Sequence, residues 1–131
     1  MAFNAKRYSP DAFTQGVWLA IMGGQFKVAR AGNPIYEQAL EESGYRKKIE
    51  PAEKERALYT AIATGVLRDW SGVEDDSGDP IPYSIENAVE VMLDNPDLVA
   101  RILSQANDLS NFRREDIEGQ GKKPRQRSNT A

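Results

Sequence analysis

Hydrophobic and polar positions along the chain follow two different periods. From Val17 to Met22 every position is apolar, whereas Phe26 and Val28 alternate with Gln25 and Lys27. Both runs suit strands, and Gly23-Gly24 between them can take the positive φ angles of a two-residue hairpin turn. The pattern therefore predicts an N-terminal β-hairpin over Gly16 to Ala29 whose first strand, apolar throughout, is covered on both sides. Residues 1–13 hold no sustained period and Ser9-Pro10-Asp11 reads as a turn, so a loosely held lead-in is expected there.

From Asn33 the period becomes helical. Asn33 can accept from free backbone amides as N-cap, and Pro34 fits the first turn because its missing amide would be unpaired anyway. This helix is expected to reach about Ser43 and to stop at Gly44. Glu50-Pro51 opens the next, where Leu58, Ile62 and Val66 fall four apart beside Tyr59 and Ala63, a stripe that Trp70 extends. The acids, Gly78, Pro80 and Pro82 of the run Glu74 to Pro82 mark a loop. Ser84 then caps a helix with Ile85, Val89 and Met92/Leu93 on one face. Asn95-Pro96 repeats the earlier start, and Leu98, Ile102, Ala106 and Leu109 continue toward Phe112, with Trp70 and Phe112 expected in the core. The expected fold class is mainly α, a single helical domain (14–118) with a small N-terminal β-hairpin, a lead-in (1–13) and a disordered basic tail (119–131). The tail is read so because it has no apolar residue larger than alanine.

Composition narrows the chemistry. At 131 residues the chain suits one core, and no apolar run approaches the roughly 18 residues of a membrane span. No secretory signal is recognisable at the start, so the expected location is the host cell cytoplasm, with no membrane partner. There is no cysteine and no histidine, which removes disulfides, thiolate nucleophiles, the commonest zinc sites and the usual general base. The whole chain carries a charge of -3, yet Lys122, Lys123, Arg125 and Arg127 stand in the tail with no acid, so the body before it is more acidic still.

Candidate sites follow from what remains. Glu74 to Asp79 has the carboxylates and glycine of a calcium loop, but placing Gly78 at the sharp turn puts Val73 and Ser84 where the end ligands belong. A solvated loop is the better reading. Gly23-Gly24 and the tail glycines lack phosphate-loop spacing, and Ser84, Ser104 and Ser110 have no histidine partner. No catalytic residue, metal site or cofactor is assigned, and the chain is not expected to be an enzyme. Trp18, Ile21, Met22 and Phe26 pose another question, because a hairpin apolar on both faces needs two covers. Large apolar residues are mostly buried in their own fold, and the other reading makes these four a partner-binding surface. The tail could touch phosphates in a salt-dependent way, but no aromatic residue interleaves its charges and the acidic body opposes docking, so no specific nucleic acid is expected.

Four passages carry a resemblance. Gly16-Val-Trp followed by Phe26-Lys-Val-Ala-Arg-Ala-Gly-Asn-Pro-Ile-Tyr36, then Gly65-Val-Leu-Arg-Asp-Trp-Ser-Gly-Val73, then Ile81-Pro-Tyr-Ser-Ile-Glu-Asn-Ala88, and last Pro96-Asp-Leu98 leading to Asn107-Asp-Leu-Ser-Asn-Phe-Arg113 resemble, in order and spacing, the tail assembly chaperones of long-tailed double-stranded DNA bacteriophages. The resemblance implies a protein absent from the mature virion that binds the tape measure protein and keeps it soluble while tail tube subunits assemble around it. It implies that Asp69, Trp70, Tyr83 and Phe112 serve the fold. The tail tube protein and a second copy of the chain are further candidate partners. A virion structural component, tail or connector, is the alternative, and a nucleic-acid accessory protein a more distant one. Family members are often also made in a longer, frameshifted form, and Gln120-Gly121-Lys122 can be encoded as CAG GGA AAG, which contains a slippery run. A gene lacking that run and any slip site nearby would dismiss this expectation.

Overall fold

A computed structural model describes residues 2–120. Each helix begins where local chemistry favours it. Ser9 Oγ accepts from the Ala12 amide at the start of α1 (Pro10–Gln15). Asn33 Oδ1 accepts from the Tyr36 amide at 3.0 Å to open α2 (Pro34–Glu42), and left-handed Gly44 follows that helix's end. Pro51 starts α3 (Pro51–Gly65), and Ser84 Oγ accepts from the Asn87 amide to start α4 (Ile85–Asp94). α5 (Pro96–Ala106) and α6 (Arg114–Gln120) complete the helices, with short 3-10 turns at Tyr45–Lys47 and Leu109–Phe112. The chain is thus mainly helical, as the periodicity predicts. The basic tail beyond Gln120 lies outside the described residues.

Asn95 departs from its expected role. Its side-chain amide donates to the Val91 carbonyl of α4 at 2.7 Å and makes no cap bond to α5, so the side chain closes one helix while only the backbone carbonyl, accepting from the Leu98 and Val99 amides, opens the next. Pro96 and the first-turn acid Asp97 supply the side-chain start signals.

The β region is larger than a hairpin. β1 (Val17–Ile21), β2 (Gly24–Val28) and β3 (Leu67–Ser71) form an antiparallel sheet in that order, pairing Val17 with Val28, Leu19 with Phe26 and Phe26 with Trp70. The stripe expected to run as helix to Trp70 instead breaks after Gly65, because spacing by four residues fits a short apolar run of either type and β2 offers an unpaired edge. The two-residue turn is Met22-Gly23, one residue earlier than expected, with φ 50° and 90°. Gly24 lies in β2 for a packing reason: a Cβ there would stand 2.9 Å from Phe26 Cε2.

The first strand is not covered on both sides. β1 is an edge strand whose Val17 and Ile21 are buried while Ala20 is exposed and Trp18 half-buried. Trp18, Lys27 and Asp69 stand in one cross-strand row on the outer face. The inner face packs Ile21, Phe26, Val28, Leu67 and Trp70 against Ile62, Val66, Val89, Met92 and Ile102 of the helical side.

The lead-in is also held more firmly than its sequence suggests. Tyr8 bridges to Arg113, the Ser9 amide donates to Phe112 O at 3.0 Å, and the Arg30 amide donates to Phe13 O at 3.0 Å. Ala12 and Val17 close over Phe112 in a second apolar cluster. Residues a hundred positions apart meet there, which no local pattern reveals.

Candidate functional site

The Met22-Gly23 turn carries β1 and β2 to one end of the sheet, where the acidic loop and the corner between α4 and α5 also converge. Together they enclose an open groove of about 490 Å³. Its floor is apolar, from Ile21, Met22, Phe26, Val73, Ile81, Val91 and Leu98, and its rim carries Glu74, Asp75, Asp76 and Asp94. Three of the four residues singled out from the sequence therefore reach one groove, although unequally. Ile21 and Phe26 are each only 4% exposed and belong to the core, whereas Met22 is 54% exposed at the tip. Trp18 stands elsewhere, in its outer-face row. Val73, Ile81, Val91 and Leu98 were missed, because they come from the loop after β3, from α4 and from α5, and nothing in their spacing joins them.

The acidic loop is built rather than loose. Asp75 Oδ1 accepts from the Ser77 and Asp79 amides at 2.9 and 3.0 Å, Asp75 N donates to Asp79 O, and the Ile81 amide donates to Val73 O at 2.8 Å. Gly78 supplies the positive φ that this turn needs. The loop is fastened below by aromatic rings. Trp70 Nε1 donates to Ile81 O at 2.7 Å, and the Trp70 ring meets Tyr83 edge to face at 5.1 Å and Phe26 at 6.3 Å. Trp70 is buried, as is Phe112, in agreement with the sequence reading.

Tyr83 ties the loop to the exit of α3. Its hydroxyl is directed at the Ala63 carbonyl and at the Leu67 carbonyl, 2.6 Å away, serving carbonyls where the helix runs out of its own donors. Burial, aided by nearby Asp69 and opposed by Arg68, pushes this hydroxyl far above the ordinary tyrosine range. A folded-state value raised above the unfolded one contributes stability that is fully present below about pH 10 and is lost as pH rises beyond it. Tyr83→Phe is expected to cost about 1–3 kcal/mol near neutral pH by stranding those carbonyls. It is also expected to flatten the alkaline loss of stability. Urea denaturation midpoints from pH 7 to about 11 check both; an alkaline slope equal to that of the parent would show that Tyr83 is not its source. Tyr36 and Tyr59, also raised chiefly by burial, leave a residual slope.

A second concavity of about 580 Å³ has the opposite charge, lined by Asn4, Lys6, Arg7, Arg113, Arg114 and Glu115. The Arg114 amide donates to Arg7 O at 2.9 Å and its guanidinium to Lys6 O at 3.2 Å, which brings the two basic pairs together. Among the described residues no group of three or more acids is placed to hold a metal ion, and no helix is long and apolar enough to cross a membrane. A family model described as YdaY prophage protein matches residues 25–123, the stretch from β2 through α6. No match was found among curated proteins or among solved structures.

Proposed function

Because the chain belongs to the YdaY prophage protein family, and so to a phage-associated group, we propose that it is a tail assembly chaperone acting in the host cytoplasm. In this reading it binds the tape measure protein, keeps it soluble while the tail tube assembles around it, and is absent from the finished virion. The observation that carries the reading is the open groove with an apolar floor at the hairpin tip. A concavity with apolar side chains at its base and acids at its rim suits recognition of another chain, and the rim keeps such a site soluble while it waits. Binding of this kind requires neither a catalytic group nor a cofactor. The resemblance carried by the passages around Trp70, Tyr83 and Phe112 supplies the identity of the client.

Co-expression with the tape measure protein of its own phage tests the proposal. The expected result is a soluble tape measure that co-purifies with this chain. An insoluble and unbound tape measure, together with the chain in purified particles, would favour a virion component instead. The second concavity supports another reading, a nucleic-acid accessory, since Lys6, Arg7, Arg113 and Arg114 lie near the start of α6, beyond whose end come the four tail cations. That reading requires DNA or RNA retention that falls steeply with salt and disappears when residues 119–131 are deleted.

A further inference from the structure

The groove at the hairpin tip carries a charge pattern that its surroundings do not neutralise. None of its rim acids, Glu74, Asp75, Asp76 and Asp94, has a cation partner among the described residues, where the ion pairs fall on Glu37, Glu41 and Glu90. The cations that do gather, Lys6, Arg7, Arg113 and Arg114, line the other concavity. Only Asp75 has a hydrogen-bonding duty within the loop. Asp94 even stands in the last turn of α4, where a negative charge opposes the helix dipole. Folding alone gives no reason to crowd these charges around an apolar floor. Met22 adds a second oddity, a flexible thioether held exposed at φ 50°, a conformation that asparagine or glycine would adopt more easily.

We propose that the groove binds a segment of the client in which large apolar side chains are flanked by lysine or arginine. This rests on the client-binding reading above. The apolar side chains lie on the floor beside Met22, and the cations meet the rim. A purely apolar occupant would leave the rim acids partly desolvated without partners, and a purely basic one would leave the floor wet. The tail of this chain is a poor occupant for the second reason, since from Gly119 onward it has no apolar residue larger than alanine.

Fluorescence anisotropy on the full chain tests this with three labelled peptides. One alternates leucine and lysine clusters, one replaces its lysines by glutamate, and one replaces its leucines by serine. The leucine-lysine peptide is expected to bind at least about tenfold more tightly than either control at low salt, and to weaken as salt rises. Asp76→Lys with Asp94→Lys is expected to weaken it by about tenfold or more with the thermal midpoint not lowered, because both side chains are exposed. Met22→Lys is expected to act in the same direction. Equal binding of the glutamate peptide, or no effect of the rim variants, overturns the proposal, as does binding that appears only after residues 121–131 are removed, which would make the tail the occupant. Co-expression separates the two levels. A tape measure held equally by the parent and the rim variant overturns the groove assignment and leaves the chaperone reading standing, whereas one not held by the parent removes the reading itself.

Discussion

Gly65→Ala is expected to destabilise the protein by about 3 kcal/mol, at the upper end of the usual cost of overpacking a core. Helix propensity taken alone gives the opposite sign, since alanine within a helix is favoured over glycine by about 1 kcal/mol. Sterics prevail here because a Cβ on Gly65 would stand 2.4 Å from Tyr36 Cα and 2.5 Å from Tyr36 N. These are backbone atoms, so no rotamer change relieves the clash and α2 must move off α3. The displacement would also break a buried tie, for Asn33 Nδ2 donates to Gly65 O at 2.8 Å and to Arg30 O at 2.7 Å while its Oδ1 caps α2. Just beyond, the Ala29 amide donates to Val66 O at 2.7 Å, which locks the helix exit to the strand that lines the groove. Chemical denaturation of parent and variant is the check, and a variant as stable as the parent would mean that the two helices do not approach this closely.

Phe112→Ala is expected to cost about 3–5 kcal/mol, the usual range for truncating a buried phenylalanine. The ring is fully buried, meets Phe13 edge to face at 5.7 Å, and packs with Ala12 and Val17. Much of the loss is expected to be local, because this cluster is separate from the main core. Hydrogen exchange at the Ser9 and Arg30 amides, which donate to Phe112 O and Phe13 O, should accelerate more than exchange at Val66, whose amide lies within the exit of α3. Uniform acceleration at all three would show that the two clusters open together. The groove lies at the other end of β1, so client binding by the fraction still folded is expected to survive this change while it does not survive Gly65→Ala intact.

The candidate site was partly legible before the structure. The hairpin pointed to Ile21, Met22 and Phe26, and the loop from Glu74 onward announced itself by composition, but the two were not joined. Joining them requires β3, which places Val73 and the loop beside the hairpin tip. The basic concavity was hidden for the same reason, since Lys6-Arg7 and Arg113-Arg114 become neighbours only through long-range pairing, the Tyr8 to Arg113 bridge and the bonds from Arg114 to Arg7 O and Lys6 O.

The sequence by itself determined what neighbouring residues can decide. Asn33-Pro34, Glu50-Pro51 and Ser84 placed helix starts, Gly44 placed a stop, and spacing by three and four sorted Ile62, Val89, Met92 and Ile102 to the inside. These signals are local because capping bonds and apolar stripes act over one or two turns. Tertiary structure alone decided that Leu67 to Trp70 is strand rather than helix, that Gly65 must lack a side chain, that Met22 turns the hairpin, and that a half-buried Trp18 faces away from the groove. Apart from the hairpin turn, set by the packing of Gly24 against Phe26, the deciding contact is with a residue distant in the chain, an unpaired strand edge or a close backbone. The free energy of such contacts comes from burial and hydrogen bonding that exist only once the distant segments have met.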